Sequence, residues 1–278
     1  MIIVSVFLNI ILPVVIVILL GMALCYYKKT AIGPISQIAL YLFSPALVFR
    51  GMATTELPME SMGKIVVFAL SLTIILFIVT HGIGRIMRLD SNVQSALLIA
   101  VLLMNAGNLP LPILQLAFGD AGLERGLVFF TIQAFLAATI GVFIAARGNE
   151  GGVSPIKAVV SQPLAYAAIA GIVVNLLDIS LPQLVMSPTE LLANAAFPAM
   201  LIVLGGNLII QRGVKEFKMV AVATALRLWV GLAVALGLLE LLQVDTLTRN
   251  ALLVQAAAPT AVITIVLATE FNSRPALA

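Results

Sequence analysis

The sequence is poor in most of what catalysis or life in water requires. It has one cysteine, Cys25, one histidine, His81, and one tryptophan, Trp229. A single cysteine excludes an internal disulfide. One cysteine and one histidine leave no set with metal-ligand spacing, and no nucleophile–base pair or phosphate loop occurs along the chain. No catalytic residue, metal or cofactor is therefore expected, and the chain does not read as an enzyme. Charge is scarce too: Asp, Glu, Lys and Arg make up 10% of residues, against about 25% in a soluble domain. The net charge of +3 and pI near 9.2 reflect basic residues in the turns, so no nucleic acid is expected as a partner. No basic leader precedes the first apolar run, which reads as a first span and not as a signal peptide.

What is present is apolar. Hydrophobic residues make up 62% of the chain, and the mean hydropathy is +1.18. This predicts an all-α polytopic membrane protein with the lipid bilayer as its surroundings. Nine apolar spans follow, at roughly 3–25, 34–53, 63–84, 93–118, 125–146, 156–177, 189–210, 218–241 and 247–269. Short turns join them, among them Lys28-Lys29-Thr30, Gly119-Asp120 and the glycine-rich 147–152. Basic residues alternate between the two sides. Ten, including Lys28, Lys29, Arg85, Arg88 and Arg147, fall on one side, and three, Lys64, Arg125 and Arg249, on the other. Cytoplasmic loops carry the excess of Lys and Arg. The N-terminus is expected outside and the Lys28-Lys29 turn in the cytoplasm.

Two spans are interrupted. In span four, Met104-Asn105-Ala106-Gly107-Asn108-Leu109-Pro110-Leu111-Pro112 places two amides, a glycine and two prolines inside an apolar run. In span nine, Gln255-Ala256-Ala257-Ala258-Pro259-Thr260 does the same. Proline removes an N–H and clashes with the preceding turn, so neither helix runs through. Freed backbone groups at membrane depth need cover from protein or from a water-filled cavity.

The two breaks also stand at related positions. Shifting the chain by 150 to 155 residues aligns Pro13 and Gly21 with Pro163 and Gly171, and Phe43-Ser44-Pro45-Ala46 with Ala196-Phe197-Pro198-Ala199. It also aligns Ala96-Leu97-Leu98 with Ala251-Leu252-Leu253. An odd number of spans per repeat makes the repeat inverted. The expected division is 1–147 and 148–278, the second half incomplete: a fifth span there would be a tenth in all, and the sequence carries nine. Paired broken helices in inverted halves point to a site near the membrane midplane where spans four and nine cross.

The donors there suit an anion. New half-helices begin near Leu111 and Thr260, and helix N-termini carry unpaired N–H groups and a positive dipole end. Asn105 and Asn108 add amides, and Gln255 and Thr260 add donors from the other half. Gly107, Pro110, Pro112 and Pro259 shape the breaks. Gln133 in span five is a further polar candidate. Arg227, about nine residues inside span eight, either balances a bound anion, drives a conformational cycle, or is a structural group that snorkels. Arg50 and His81 read as structural residues near span ends, and the methionines as packing.

The same two segments resemble those of the auxin efflux carrier family, which is similar in fold to the bile acid–sodium symporters. Asn105-Ala106-Gly107-Asn108-Leu109-Pro110-Leu111-Pro112 resembles the family's fourth-span pattern, with Pro110 where a glycine is common. Ala258-Pro259-Thr260-Ala261-Val262, running on to Ala268-Thr269-Glu270-Phe271-Asn272, resembles its ninth-span pattern. The resemblance implies a scaffold of spans 1, 2, 6 and 7, often dimeric, and a moving transport part of spans 3–5 and 8–10. It further implies a secondary transporter of a small organic anion, such as a carboxylate, working by elevator-type alternating access. The short 147–152 connection resembles the compact bacterial members of the inner membrane. Sodium-coupled symport of an organic anion and a non-transporting membrane sensor are the alternatives; the breaks carry no carboxylate to strengthen a cation site.

Overall fold

A computed structural model of the chain describes residues 2–141, 143–144, 163–210, 217–261 and 264. Among these, all regular structure is helical. The helices are α1 (Val4–Lys28), α2 (Ile32–Ala53), α3 (Met59–Ile86), α4 (Ser91–Leu102), α5 (Pro110–Gly141), α6 (Pro163–Leu176), α7 (Gln183–Ile210), α8 (Phe217–Leu242) and α9 (Thr246–Ala256). Six of them, α1, α2, α3, α5, α7 and α8, are long and apolar enough to cross a membrane, and α4 and α6 are shorter apolar helices. The chain is a polytopic α-helical membrane protein. Expected span four falls on α4, the irregular residues 103–109 and the start of α5. The rest of α5 carries span five. The two are separated at Gly119, whose φ of 64° and ψ of −156° lie in a region open essentially to glycine alone. The join at 147–152 and most of span nine beyond Ala261 lie outside the described residues.

Local chemistry explains the helix irregularities. π-Helical turns at Phe7–Ile11 and Ala39–Phe43 stand just before Pro13 and Pro45. Proline cannot donate to the carbonyl four residues back and collides with it, and a widened turn relieves that collision. In the second turn the Ser44 hydroxyl also donates to Ala39 O at 2.6 Å.

The chain divides into two compact units: Met1–Pro58, Gly107–Thr131 and Gln162–Arg212 form unit 1, and Met59–Ala106, Ile132–Ser161 and Gly213–Ala278 form unit 2. In unit 1, α1 packs on α7 and α2 on α6. Both contacts are close because glycine stands at each. A Cβ on Gly21 would lie 2.5 Å from Ile202 O, and one on Gly171 would lie 2.7 Å from Phe49 O. Small residues let backbones approach in this way where apolar lipid supplies no driving force between helices. Exchanging spans one and six, and two and seven, converts one contact into the other. Asn175 of α6 closes the end of α2 by donating to Thr55 O at 3.0 Å and Ala53 O at 3.3 Å.

In unit 2, α4 and α9 begin alike. Asp90 caps α4 by accepting from Asn92 N at 3.1 Å and Val93 N at 3.0 Å. Asp245 caps α9 by accepting from Thr248 N at 2.9 Å. Both caps satisfy N–H groups that the helix itself cannot. Their backbones agree, at φ −63°, ψ 159° and φ −60°, ψ 159°. The α4 helix is buried from Ser95 through Leu102, as an apolar helix without a polar face must be.

Candidate substrate site

Each of α4 and α9 ends at its break, and the two breaks pair. Met104 and Thr260 form an isolated antiparallel bridge. Asn105 N donates to Pro259 O at 2.8 Å, and Ala261 N donates to Leu103 O at 2.8 Å. Exchanging Met104 with Thr260, and each neighbour with its counterpart, turns one bond into the other, so the crossing has a local two-fold. The pairing gives partners to four backbone groups that the interrupted helices release, as a dry environment demands. The Thr260 hydroxyl donates to Ala100 O at 2.7 Å. Its hydrogen is spent on the last turn of α4, which leaves its lone pairs for any other contact.

Arg227 completes this arrangement. It lies in the π-helical turn Ala225–Val230 of α8 and is 1% exposed. Its Nε donates to Ala258 O at 3.1 Å, and its Nη2 to Ala256 O at 2.7 Å and to Met104 Sδ at 3.4 Å. The guanidinium thus caps the carbonyl end of α9, where the helix dipole is negative, and touches the other break through Met104. Its Nη1 has no hydrogen-bond partner among the described residues. No described acid pairs with it; Arg50–Glu190, Lys64–Glu60 and Arg249–Glu240 are ion pairs elsewhere among the described residues. A buried charge without a counter-charge costs several kcal/mol even after relaxation, and carbonyl dipoles offset only part of that.

The other candidate residues are distributed as follows. Asn105 is 5% exposed and Gln255 fully buried, both in unit 2 with the crossing; the Gln255 carbonyl accepts from Ala258 N at 3.1 Å. Pro259 is exposed and Thr260 half-buried. Gln133 is 3% exposed, and its Nε2 lies 3.4 Å from Thr73 Oγ1 of α3. Among the described residues it bonds none of the crossing groups. Gly107, Asn108, Pro110 and Pro112 belong to unit 1. Gly107 packs so closely on Phe130 that a Cβ would lie 2.7 Å from its ring. The α5 helix starts at Pro110, and Pro112 stands two residues on. Both lack an N–H, so Leu111 is the one donor among the first three residues, and Ile113 N already bonds Leu109 O. The α5 N-terminus is therefore a poorer anion cradle than a helix start of ordinary composition.

Three participants escaped the sequence. Met104 is apolar and gave no polar signal. The Asp90 and Asp245 caps stand 155 residues apart, each six residues before its Ala-Leu-Leu triplet, and that spacing was readable. Gly231, four residues after Arg227, would have been a helical-face signal beside a buried charge. A Cβ there would lie 2.8 Å from Arg227 Nη1.

Apolar helices of membrane-spanning length, two of them broken and paired through their backbones, place the chain among polytopic membrane proteins with interrupted helices. The profile of the membrane transport protein family matches residues 6–158 and 152–278, so the chain belongs to that family, the auxin efflux carriers. Among curated proteins, it is 24% identical to an uncharacterized transporter of Methanocaldococcus jannaschii, over 86% of this chain and 80% of that protein. It is 28% identical to an uncharacterized transporter of Methanothermobacter thermautotrophicus, over 66% of this chain and 60% of that protein. The protein is a secondary transporter integral to the membrane, acting on a small substrate and not an enzyme.

Proposed function

We propose that this transporter carries a small organic anion, with a carboxylate as the leading class, and that the substrate binds at the crossing of the two breaks. The observation that carries the reading is Arg227: a buried cation fixed to the crossing, with no described acid to neutralise it. A negatively charged solute supplies the missing counter-charge, and the Asn105 amide, in the same compact unit, is the neutral group proposed beside it. Such a set holds an anion without a second fixed cation, and release stays accessible.

We further propose elevator-type alternating access, with spans 3–5, 8 and 9 as the moving part and spans 1, 2, 6 and 7 as a scaffold that forms a homodimer. The clustering of α3, α4, α8 and α9 in one compact unit and of α1, α2, α6 and α7 in the other supports that division. Residues Gly107–Thr131, which hold the second half of span four and the start of span five, cluster with the second group and depart from that division. The basic residues of the turns support an N-terminus outside, and the likeness of the short 147–152 connection to compact bacterial members supports a bacterial-type inner membrane.

The test is uptake or efflux of labelled pyruvate, malate, malonate and indole-3-acetate in proteoliposomes of the full chain. Transport of at least one, abolished by Asn105→Ala with the variant still folded, is expected. Unchanged transport by Asn105→Ala and Pro259→Ala would remove the site assignment. Movement of none of the carboxylates, alongside a neutral solute that is moved, would remove the anion.

A further inference from the structure

Two helix faces of unit 1 meet around a cavity of about 560 Å³. Arg50, Gly51 and Thr54 line it from α2, and Leu123, Glu124 and Leu127 line it from the part of α5 beyond Gly119. Two contacts join the faces. Leu127, fully buried, fills the notch at Gly51 so tightly that a Cβ there would collide with its Cδ1. The Thr55 hydroxyl accepts from Leu57 N at 3.1 Å and donates to Glu124 Oε2 at 3.0 Å. Numbers rise from Gly51 to Thr55 as they fall from Leu127 to Glu124, so the segments run antiparallel and the two contacts fix their register.

Each contact has a substitute one turn away. Leu123 stands four residues before Leu127 on the same helix face. It also lines the cavity and is 8% exposed. A step of one turn, about 5.4 Å, toward the N-terminal end of α2 brings Leu123 to the notch at Gly51. The same step takes Glu124 from Thr55 to the level of Gly51, beside Arg50. Arg50 is held by Glu190 at 3.2 Å, with side chains 36% and 52% exposed. Such a pair contributes little, so Arg50 is cheaply released. Glu124 then exchanges a neutral hydroxyl for a guanidinium, the stronger kind of partner. The deeper burial of Leu127 favours the observed register, and the ionic partner favours the other. The α2 side is held fast, because Asn175 donates to both Ala53 O and Thr55 O. The α5 side is jointed at Gly119, where a Cβ would meet nothing within 4 Å.

We propose that this contact is a two-position register step. In the first position Glu124 accepts from Thr55 with Leu127 at Gly51; in the second Glu124 pairs with Arg50 with Leu123 at Gly51. The proposal rests on the elevator reading above and names the surface along which the moving part steps. Packed helices shift by discrete turns of this kind because their side chains fit in discrete places. The clustering of Gly107–Thr131 with the scaffold helices is what a segment docked in the first position produces.

The test is cross-linking of the full chain in proteoliposomes, in a Cys25→Ser background, with a short cleavable bifunctional thiol reagent. Ala121→Cys paired with Pro58→Cys reads the first position, and Ala121→Cys paired with Thr54→Cys, one turn along α2, reads the second. These reporters leave Gly51, Thr55, Leu123, Glu124 and Leu127 in place. The Pro58 link should dominate. Leu127→Ala should shift the ratio of the two links about tenfold or more toward Thr54, and Leu123→Ala should shift it toward Pro58. Glu124→Gln keeps an acceptor for Thr55 and loses the ionic partner, so it too should favour Pro58. That variant removes no core side chain and stands even where Leu127→Ala fails to fold. Either link should stop flux, and cleaving the reagent should restore it. Leucine variants that move the ratio in the same direction, or a Thr54 link that forms in none of the proteins, would overturn the second position. Flux that continues in the linked protein would overturn its part in transport. The ratio needs no substrate, so a chain that moves no carboxylate would remove the anion reading and leave the register step to be decided by its own result.

Discussion

The N–H of Asn105 and the carbonyl of Pro259 meet at 2.8 Å, joining two residues 154 positions apart in a chain otherwise built of self-contained helices. The bond exists because each helix stops where it does. Were α9 to run on through residue 259, its carbonyl would turn into the helix and Asn105 would lose its acceptor. Pro259→Ala is therefore expected to allow extension of α9, break the crossing and abolish transport. The extra helical turn should offset part of the lost pairing, so the midpoint of thermal unfolding should fall only a little. Proteoliposome flux and the unfolding midpoint, measured on the same preparation, check this. Retained flux would show that the carbonyl at 259 does not depend on proline.

How much of this was legible in the sequence depends on the kind of force involved. Hydrophobic length placed the spans, because a membrane helix hides every backbone bond inside itself. Both breaks were legible through proline, whose missing N–H acts locally. The turn at Gly119 was legible for the same reason. Partner choice was not: nothing in Met104 or in Thr260 announces a bridge between them, because pairing depends on where two distant helices end. For Arg227 the sequence left three roles open, balancing an anion, driving a conformational cycle or snorkelling as a structural group, and capping a helix end was not among them. The side-chain vectors decide that it caps α9. The α5 start shows the reverse case: Pro110 and Pro112 themselves carry the information that few N–H donors remain there.

The two capping aspartates should behave as a matched pair. Asp90→Ala and Asp245→Ala each remove a helix cap and should each cost about 1 kcal/mol, with a further loss at Asp245, which also accepts from the hydroxyl of the buried Thr248. The two caps stand at the starts of different helices, so the double variant should lose about the sum. Unfolding in a graded denaturant checks both statements. A cost well above the sum would mean that α4 and α9 are coupled through the crossing more tightly than two backbone bonds provide.

Gly107 makes a more local demand. A methyl group there would lie 2.7 Å from Cε2 of Phe130, closer than real Cβ contacts allow. Gly107→Ala should destabilise by about 1–3 kcal/mol, as inserted methyls in packed interiors do. Adding Phe130→Ala should relieve the clash, so the double variant should be more stable than the sum of the singles implies. Thermal unfolding of the four proteins completes the cycle, and strict additivity would place the cost in the backbone of the turn.

Gly231→Ala puts the guanidinium itself under test. The added Cβ would stand 2.8 Å from Nη1, so Arg227 must shift, and its Nε and Nη2 bonds to Ala258 O and Ala256 O are short enough to be lost by the shift. Anion binding should weaken through the displaced Nη1, and stability should fall through the released carbonyls, by about 1–3 kcal/mol for groups bonded to a charge. These effects separate in the background of Arg227→Gln. There the shorter side chain leaves Gly231→Ala nothing to displace, so the second substitution should cost nothing further in binding, and in stability should recover the few tenths to 1 kcal/mol that alanine gains over glycine in a helix interior. Measuring unfolding and pyruvate binding on the single and double variants decides it. A binding loss from Gly231→Ala that persists without the arginine would assign Gly231 to helix packing and not to the position of Nη1.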